Sequence, residues 1–407
     1  MDTLKNLAFA FAVSTGLFIS MTGFCADEKP VASSLPKIDE TILREASASI
    51  QRGVNYLTDK QMEDGSWLHH PAITGLITMA LLNSHSKQNP EIRQAAIEKA
   101  RQFMLKFVQK DGSIWMADIE KEYPNYTTSI CLATLAMINK PEDEQVLRNA
   151  RKYLIDSQVD EDNKAAPTSK DNPAYGGMGY GKAGPGAPDL SNTQWALEAL
   201  YLTEYLDKEP KAKSPEDSKK ADLAWSNAVM FLSRLQHVPE SNDQVWVVKD
   251  KNDPSYGGFV YKPDESKADE KFEQKGLRSY GSMTYAGLKS MIYAKLKKDD
   301  PRVKAAVEWA GKNYTLDQNP GMGAEGHYYY LITFAKAHAV LGEEYITTAD
   351  GKKIQWRVEL IKKLLELQRG KGEWYNDNGR WMEVVPELVT AYSLIAMEAA
   401  LGPYLAE

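Results

Sequence analysis

The chain of 407 residues has two cysteines, Cys25 and Cys131. That scarcity excludes a disulfide framework and a metal cluster built on cysteine. Once a segment ending at Cys25 is removed, Cys131 stands alone in the apolar run SICLATLAM. An excess of positive charge is missing too. The formal net charge is -7, which leaves no electrostatic footprint for a nucleic acid or an anionic membrane surface. Long apolar runs are absent with one exception, residues 7–24, LAFAFAVSTGLFISMTGF. What is present, 43% hydrophobic and 26% charged residues, is the make-up of a globular protein with ample core.

The exception reads as an export signal. Lys5 precedes the apolar stretch, and Cys25-Ala26 and the polar DEKP follow it, which is the order of charge, apolar segment and small residues in a cleaved leader. The expected organisation is a signal peptide over 1–25, a linker over 26–40 and a single domain over 41–407. The mature protein is then secreted or periplasmic, with no integral membrane domain. The competing reading is an uncleaved anchor, since the stretch is just long enough to span a bilayer.

The remaining chain is punctuated by glutamines that end helical runs: Gln61, Gln109, Gln158, Gln236, Gln318 and Gln368. Their spacing gives a unit of about fifty residues, two of them lengthened by insertions of about thirty. In each unit a first segment carries one apolar stripe, as in Ile97, Ala100, Met104 and Phe107, and predicts a helix with one buried side. A glycine turn follows the glutamine, at Gly65, Gly112, Gly176-Gly177, Gly257-Gly258, Gly321 and Gly372. The second segment is apolar on nearly every side, as in ITGLITMALL, and must be covered all round. The expected fold is all-α, an (α/α)6 toroid of six helix hairpins with two long loop insertions and the amphipathic helices outside. An open solenoid satisfies the same local pattern.

In RGVNYLTDKQMEDGSW, residues Arg52-Gly53, Tyr56-Leu57, Gln61, Gly65 and Trp67 resemble the QW repeat of squalene-hopene and oxidosqualene cyclases. Gln109 with Gly112 and Trp115, and Gln368 with Gly372 and Trp374, are weaker copies. On these residues the chain resembles the prenyltransferase and squalene oxidase repeat family over most of residues 45–401. The resemblance implies that each glutamine and tryptophan ties one outer helix to the next. It also implies a central cavity for an isoprenoid or other apolar ligand, with functional groups at the starts of the inner helices.

Class II cyclases of that family protonate an alkene with an Asp-x-Asp-Asp-Thr-Ala segment, whose third residue is the acid. DLSNTQWAL overlays it at Asp189 and Thr193, but Ser191 stands at the acid position and Asn192 beside it. A serine hydroxyl cannot protonate an alkene. The zinc ligands of the protein prenyltransferases are likewise replaced. Leu277 falls at the aspartate and Ser279 at the cysteine, with His327 alone matching, so no cofactor or metal is expected. Asp189, Ser191, Asn192, Glu325 and His327 are the candidate polar groups at any chemistry. Tyr126, Thr127, Trp195, Tyr285 and Tyr328 are the candidate lining residues of the cavity. Tyr175 and Tyr256, in the paired loops NPAYGGMGY and DPSYGGFVY, are added as candidate ligand contacts on long loops. Since successive helix residues point 100° apart, Tyr328, Tyr329 and Tyr330 cannot all face inward.

Two rival functions fit the same chain. A carbohydrate lyase or glycosidase on a helical toroid would draw two carboxylates from Asp189, Glu325 and Glu387. A non-enzymatic interaction module would use the rim and the loops, with a plugged centre. The run Lys262–Lys275, balanced in sign and polar, is expected to be solvated loop.

Overall fold

The computed structural model describes residues 35–119, 123–164, 166–181, 188–208, 210–271 and 276–405. The segment read as an export signal lies outside the described residues, as does most of the expected linker.

Twelve helices are described: α1 (Glu40–Asp59), α2 (Pro71–Asn83), α3 (Pro90–Leu105), α4 (Pro124–Ile138), α5 (Glu144–Asp156), α6 (Leu190–Leu202), α7 (Pro215–Arg234), α8 (Gly281–Tyr293), α9 (Pro301–Lys312), α10 (His327–Leu341), α11 (Trp356–Leu367) and α12 (Pro386–Leu405). One antiparallel pair, β1 (Tyr345–Thr347) and β2 (Lys353–Gln355), interrupts the series, with Tyr345 opposite Gln355. Proline opens α2, α3, α4, α7 and α9, where its missing N–H costs nothing and its fixed φ suits the first turn.

The odd-numbered helices have one buried stripe, for example Leu147, Ala150, Leu154 and Ile155 on α5. The even-numbered ones are covered all round, and α2 is buried at every position from Pro71 to Leu81. That difference decides the layers, because a helix without a polar side is stable only when other helices enclose it. In the structure α2 packs on α4, α4 on α6, α6 on α8, α8 on α10, α10 on α12, and α12 returns to α2, while α1 meets both α11 and α12.

Four of the glutamines make the same pair of bonds. Gln61 Nε2 donates to the Gly65 carbonyl at 2.9 Å and to the Ala96 carbonyl of α3 at 2.8 Å. Gln158 bonds Gly176 and Ala224 of α7. Gln236 bonds Gly257 and Arg302 of α9. Gln368 bonds Gly372 at 2.9 Å and Ser49 of α1 at 2.9 Å, so the last odd helix is tied to the first. Each amide thus holds its own turn against the next outer helix. Glycine is required beside it: Gly372 has φ +95, and a Cβ there would stand 2.6 Å from the Arg52 carbonyl oxygen. Trp67 and Trp374 cover the helix ends, each indole N–H donating at 2.8 Å, to the carbonyls of Leu57 and Leu364. Gln109 departs from the pattern, donating only within its own turn, to Phe107 and Trp115.

Part of the run expected to be solvated is not. Ser266, Ala268 and Asp269 are buried, and the Asp269 carboxylate accepts the N–H groups of Leu277 at 2.7 Å and Arg278 at 3.0 Å. The charge balance of the segment hid one carboxylate needed to hold the chain entering α8. Among the described residues no helix is long and apolar enough to cross a membrane.

Candidate functional site

The starts of the even helices carry a cluster of phenols and hydroxyls. Tyr126 of α4 lies with its ring centroid 6.4 Å from that of Trp195 of α6, and Tyr329 of α10 lies 6.1 Å from Tyr392 of α12. The Tyr329 hydroxyl shares a hydrogen bond of 3.0 Å with Ser191 Oγ and accepts one of 3.0 Å from Gln194 Nε2. Helix α8 separates α6 from α10 in the cycle of contacts, so this phenol reaches across the interior rather than along its wall.

Asp189 caps α6. Its Oδ1 accepts the Asn192 backbone N–H at 2.9 Å and its Oδ2 the Asn192 side-chain amide at 2.7 Å. It is 1% exposed, and burial pushes its carboxyl up to about 6 against the pull of those bonds. A carboxyl at that value exchanges its proton near neutrality, which suits general acid and base chemistry. The hydroxyls of Tyr180 and Tyr261 meet at 3.2 Å, and the Leu190 N–H donates to the Tyr261 carbonyl, so the segments that follow the two Gly-Gly turns converge on Asp189. Burial, reinforced by the Asp189 charge, holds both phenols above their ordinary range.

Glu383, in the segment before α12, is a second buried carboxyl. It accepts the Tyr329 N–H at 2.7 Å and the Asn376 amide at 2.7 Å, and burial raises its pKa. Gly326 at the N-cap of α10 offers no side chain, so Glu383 supplies the missing acceptor and places negative charge at the positive end of that helix.

Deeper in the interior, Glu198 of α6 meets Lys289 of α8 at 2.6 Å and Lys336 of α10 at 2.5 Å. All three side chains are at most 4% exposed. The two ammonium groups lie 5.3 Å and 4.7 Å from the Trp195 ring centroid. Burial raises the Glu198 carboxyl, but the two lysines outweigh it and hold the group down at about 2. Burial pulls Lys289 down to about 8, with Glu198 opposing. The sequence does carry a signal for these residues. Each is a lone charge inside an apolar helix, in ALEAL, GLKSM and FAKAH.

The expected site residues separate into those at this cluster and those elsewhere. Asp189, Ser191, Asn192, Tyr126 and Trp195 are at it, and Thr127 is buried in the first turn of α4. Glu325 and His327 do not pair. Glu325 accepts from Arg380 at 2.6 Å, and His327 Nε2 bonds the Leu316 carbonyl at 2.8 Å. Burial lowers the His327 pKa, so a neutral imidazole there fastens the turn between α9 and α10. Tyr285 is core, packed on Tyr330, Phe334 and His338. Of the three consecutive tyrosines, Tyr329 crosses the interior, Tyr330 donates to the Thr315 carbonyl, and Tyr328 is buried against His327. The 100° step between helix positions makes that division.

Tyr175 and Tyr256 lie in the outer seam, where the Tyr175 hydroxyl donates to Glu161 at 2.6 Å and Lys251 sits over the Tyr256 ring. The glycines after them are held by Gln158 and Gln236. The tyrosines five residues on, Tyr180 and Tyr261, are the ones that reach Asp189.

Thr193, matched above to the cyclase motif, has a structural task in common with four other threonines. It accepts the Met178 N–H at 3.0 Å, as Thr74, Thr128, Thr284 and Thr390 accept those of Trp67, Ile114, Phe259 and Trp374. The residues also do not fit a prenyltransferase zinc. Leu277 and Ser279 supply no strong donor, and the His327 Nε2 is already engaged. The interior, where a central cavity is expected, is crossed by side chains at two levels, Tyr329 and then the Glu198 cluster. Two surface clefts lie elsewhere: one of about 590 Å³ between α9, the end of α10 and β1, and one of about 740 Å³ beside the start of α3.

No family model and no curated protein sequence matches the chain. Among solved structures it is similar to the type II terpene cyclase MstE from Scytonema in its apo form. The identity is 13%, over 90% of this chain and 99% of that one, with a TM-score of 0.50. A variant of that cyclase in complex with merosterolic acid A gives 13% identity, 90% and 99% coverage and a TM-score of 0.49. A protein from Actinoplanes gives 16% identity, 87% and 99% coverage and a TM-score of 0.46. The likeness to the apo cyclase is one of fold: the chain has a mostly helical, terpenoid-cyclase-like architecture.

Proposed function

We propose that the chain is an exported repeat protein of squalene cyclase and prenyltransferase type. Its six hairpins close into an (α/α)6 toroid that binds an isoprenoid or other apolar ligand through the phenol-lined mouth at Asp189. The observation that carries this reading is the Tyr329 phenol spanning the interior to Ser191 and Gln194, with Tyr126, Trp195 and Tyr392 around it. Aromatic faces from four inner helices give an apolar, polarisable lining, and a few polar groups fix orientation. Ser191 replaces the cyclase acid, so chemistry at this mouth proceeds without alkene protonation from that position. Asp189 is the group that exchanges a proton, with Asn192 and the Tyr180–Tyr261 pair ordering it.

The test is binding of geranylgeraniol to the purified mature chain, together with native mass spectrometry for lipids that co-purify. The parent should bind. Trp195→Ala should weaken binding at least tenfold, and Tyr329→Phe, which removes the bonds closing the mouth, should speed association. Absence of both bound lipid and geranylgeraniol binding sinks the proposal. That result would favour the second reading, a partner-binding module with a plugged centre, which the interior crossed by Tyr329, Glu198, Lys289 and Lys336 supports.

A further inference from the structure

The Glu198 cluster has a surplus of one positive charge and of several donors. Two ammonium groups share one carboxylate, and among the described residues each makes a single hydrogen bond, to one oxygen of Glu198. A lysine ammonium has three N–H donors, so two on each are left without an acceptor. One turn nearer the helix start, the Gln194 side-chain oxygen is also buried without a partner. The other titratable groups around Lys289 add no compensating charge: they are the second ammonium, Lys336, and Tyr293, whose ring lies 5.7 Å away and whose phenol burial keeps neutral. Leaving a net charge and unmet donors in an apolar interior is costly, and proteins as a rule pair them or bring in a counter-ion.

We propose that this cluster is a subsite for a carboxylate, the anionic end of an amphiphilic ligand that stands head-down in the interior. This rests on the reading of the interior as a ligand site and adds the class of ligand. A monoanion matches the surplus of one charge, whereas a phosphate, with its charge nearer two, would overshoot it. The carboxylate takes the free N–H groups of Lys289 and Lys336. Ser191 and Tyr329 stand seven positions before Glu198 and Lys336 on their helices, a rise of roughly 10 Å. The apolar body therefore needs about that length to run from the cluster up to the phenol mouth. Entry opens the Tyr329 bonds to Ser191 and Gln194, which otherwise close the way down. A carboxylate beside Lys289 also restores its ordinary affinity for a proton, so binding near pH 8 takes up about half a proton.

Isothermal titration of the full chain with octanoate, its methyl ester and octyl phosphate tests the assignment. Octanoate should bind at least tenfold tighter than the ester and tighter than the phosphate, with proton uptake at pH 8 that fades by pH 7. Lys289→Met and Lys336→Met should each abolish the preference for octanoate over the ester. Replacing part of a buried ion cluster by an apolar side chain of similar length need not unfold the chain, and circular dichroism checks that it has not. If a variant fails to fold, the proton uptake of the parent still decides. Equal binding of octanoate and ester, or octanoate binding without proton uptake, overturns the subsite and leaves the apolar-ligand reading standing. Tighter binding of the phosphate overturns the carboxylate assignment. Binding of none of the three, in a chain that does bind geranylgeraniol, overturns the subsite alone; failure with geranylgeraniol as well removes both.

Discussion

At the outer seam Gln61, Gln158, Gln236 and Gln368 make the same two bonds, both to backbone carbonyls, whereas the contacts that cross the interior join one particular side chain to another. Tyr329 to Ser191, Lys289 to Glu198 and Lys336 to Glu198 are all bonds between side chains. The difference lies in what the partner must be. A carbonyl is present whatever residue carries it, so Ala96, Ala224, Arg302 and Ser49 serve equally and one glutamine per unit is enough. An interior contact needs two particular side chains on two particular helices. The seam therefore organises a scaffold, and the interior is where particular side chains on particular helices are required.

That contrast is open to attack at three points. The largest effect is expected at Glu198→Ala, which leaves two buried ammonium groups with no counter-charge and should cost about 3–5 kcal/mol in urea denaturation. If it costs no more than the loss of a single seam glutamine, the interior is not the more demanding region.

Next comes Asp189. Its folded value of about 6 lies above the ordinary 3.8, so the folded chain holds this proton through a window where the unfolded chain has lost it. The resulting stability is complete below about pH 4 and is lost as the pH rises through about 6, a total of about 3 kcal/mol. Asp189→Asn keeps an acceptor for the Asn192 N–H but does not titrate. The stability of parent minus variant, followed by urea midpoints, should fall by most of that amount, about 2.4 kcal/mol, between pH 4 and pH 7. Taking the difference cancels Glu383, which titrates in the same sense. A flat difference would mean that Asp189 is not held in a desolvated site.

The smallest effect separates two seam glutamines. Gln236→Leu strands carbonyls on its own turn and on α9 and should cost about 1–3 kcal/mol, whereas Gln109→Leu, whose acceptors both lie in its own turn, should cost about 1 kcal/mol less. Equal losses would show that the tie to the next helix contributes nothing.

The sequence made much of this legible. The two kinds of helix follow from apolar periodicity, and the turn glycines from their place after the glutamines, because both depend on neighbours within a few residues. Asp189 was named from the cyclase segment it overlays, and the structure places it at the N-cap of α6. Tyr329, rather than Tyr328, was not, because the choice rests on the rotation of α10 against α6. Nor were Tyr180 and Tyr261, because Tyr175 and Tyr256 carry the same sequence signature and only the path of the chain past Gln158 and Gln236 decides which tyrosine faces the interior. Glu383 was passed over for Glu387, which stands at the helix start, since capping a different helix cannot be read from position in the chain.

The sequence by itself determined that the chain is helical, that its helices come in an outer and an enclosed kind, and that glutamine and glycine join them. These are consequences of spacing along one chain, where burial and turn geometry act over short separations. Only the tertiary structure decided that Glu198, Lys289 and Lys336 share one desolvated space and that Asp189 lies among phenols. Charge and acidity there depend on how much water three separate helices exclude together, and no single helix holds that information.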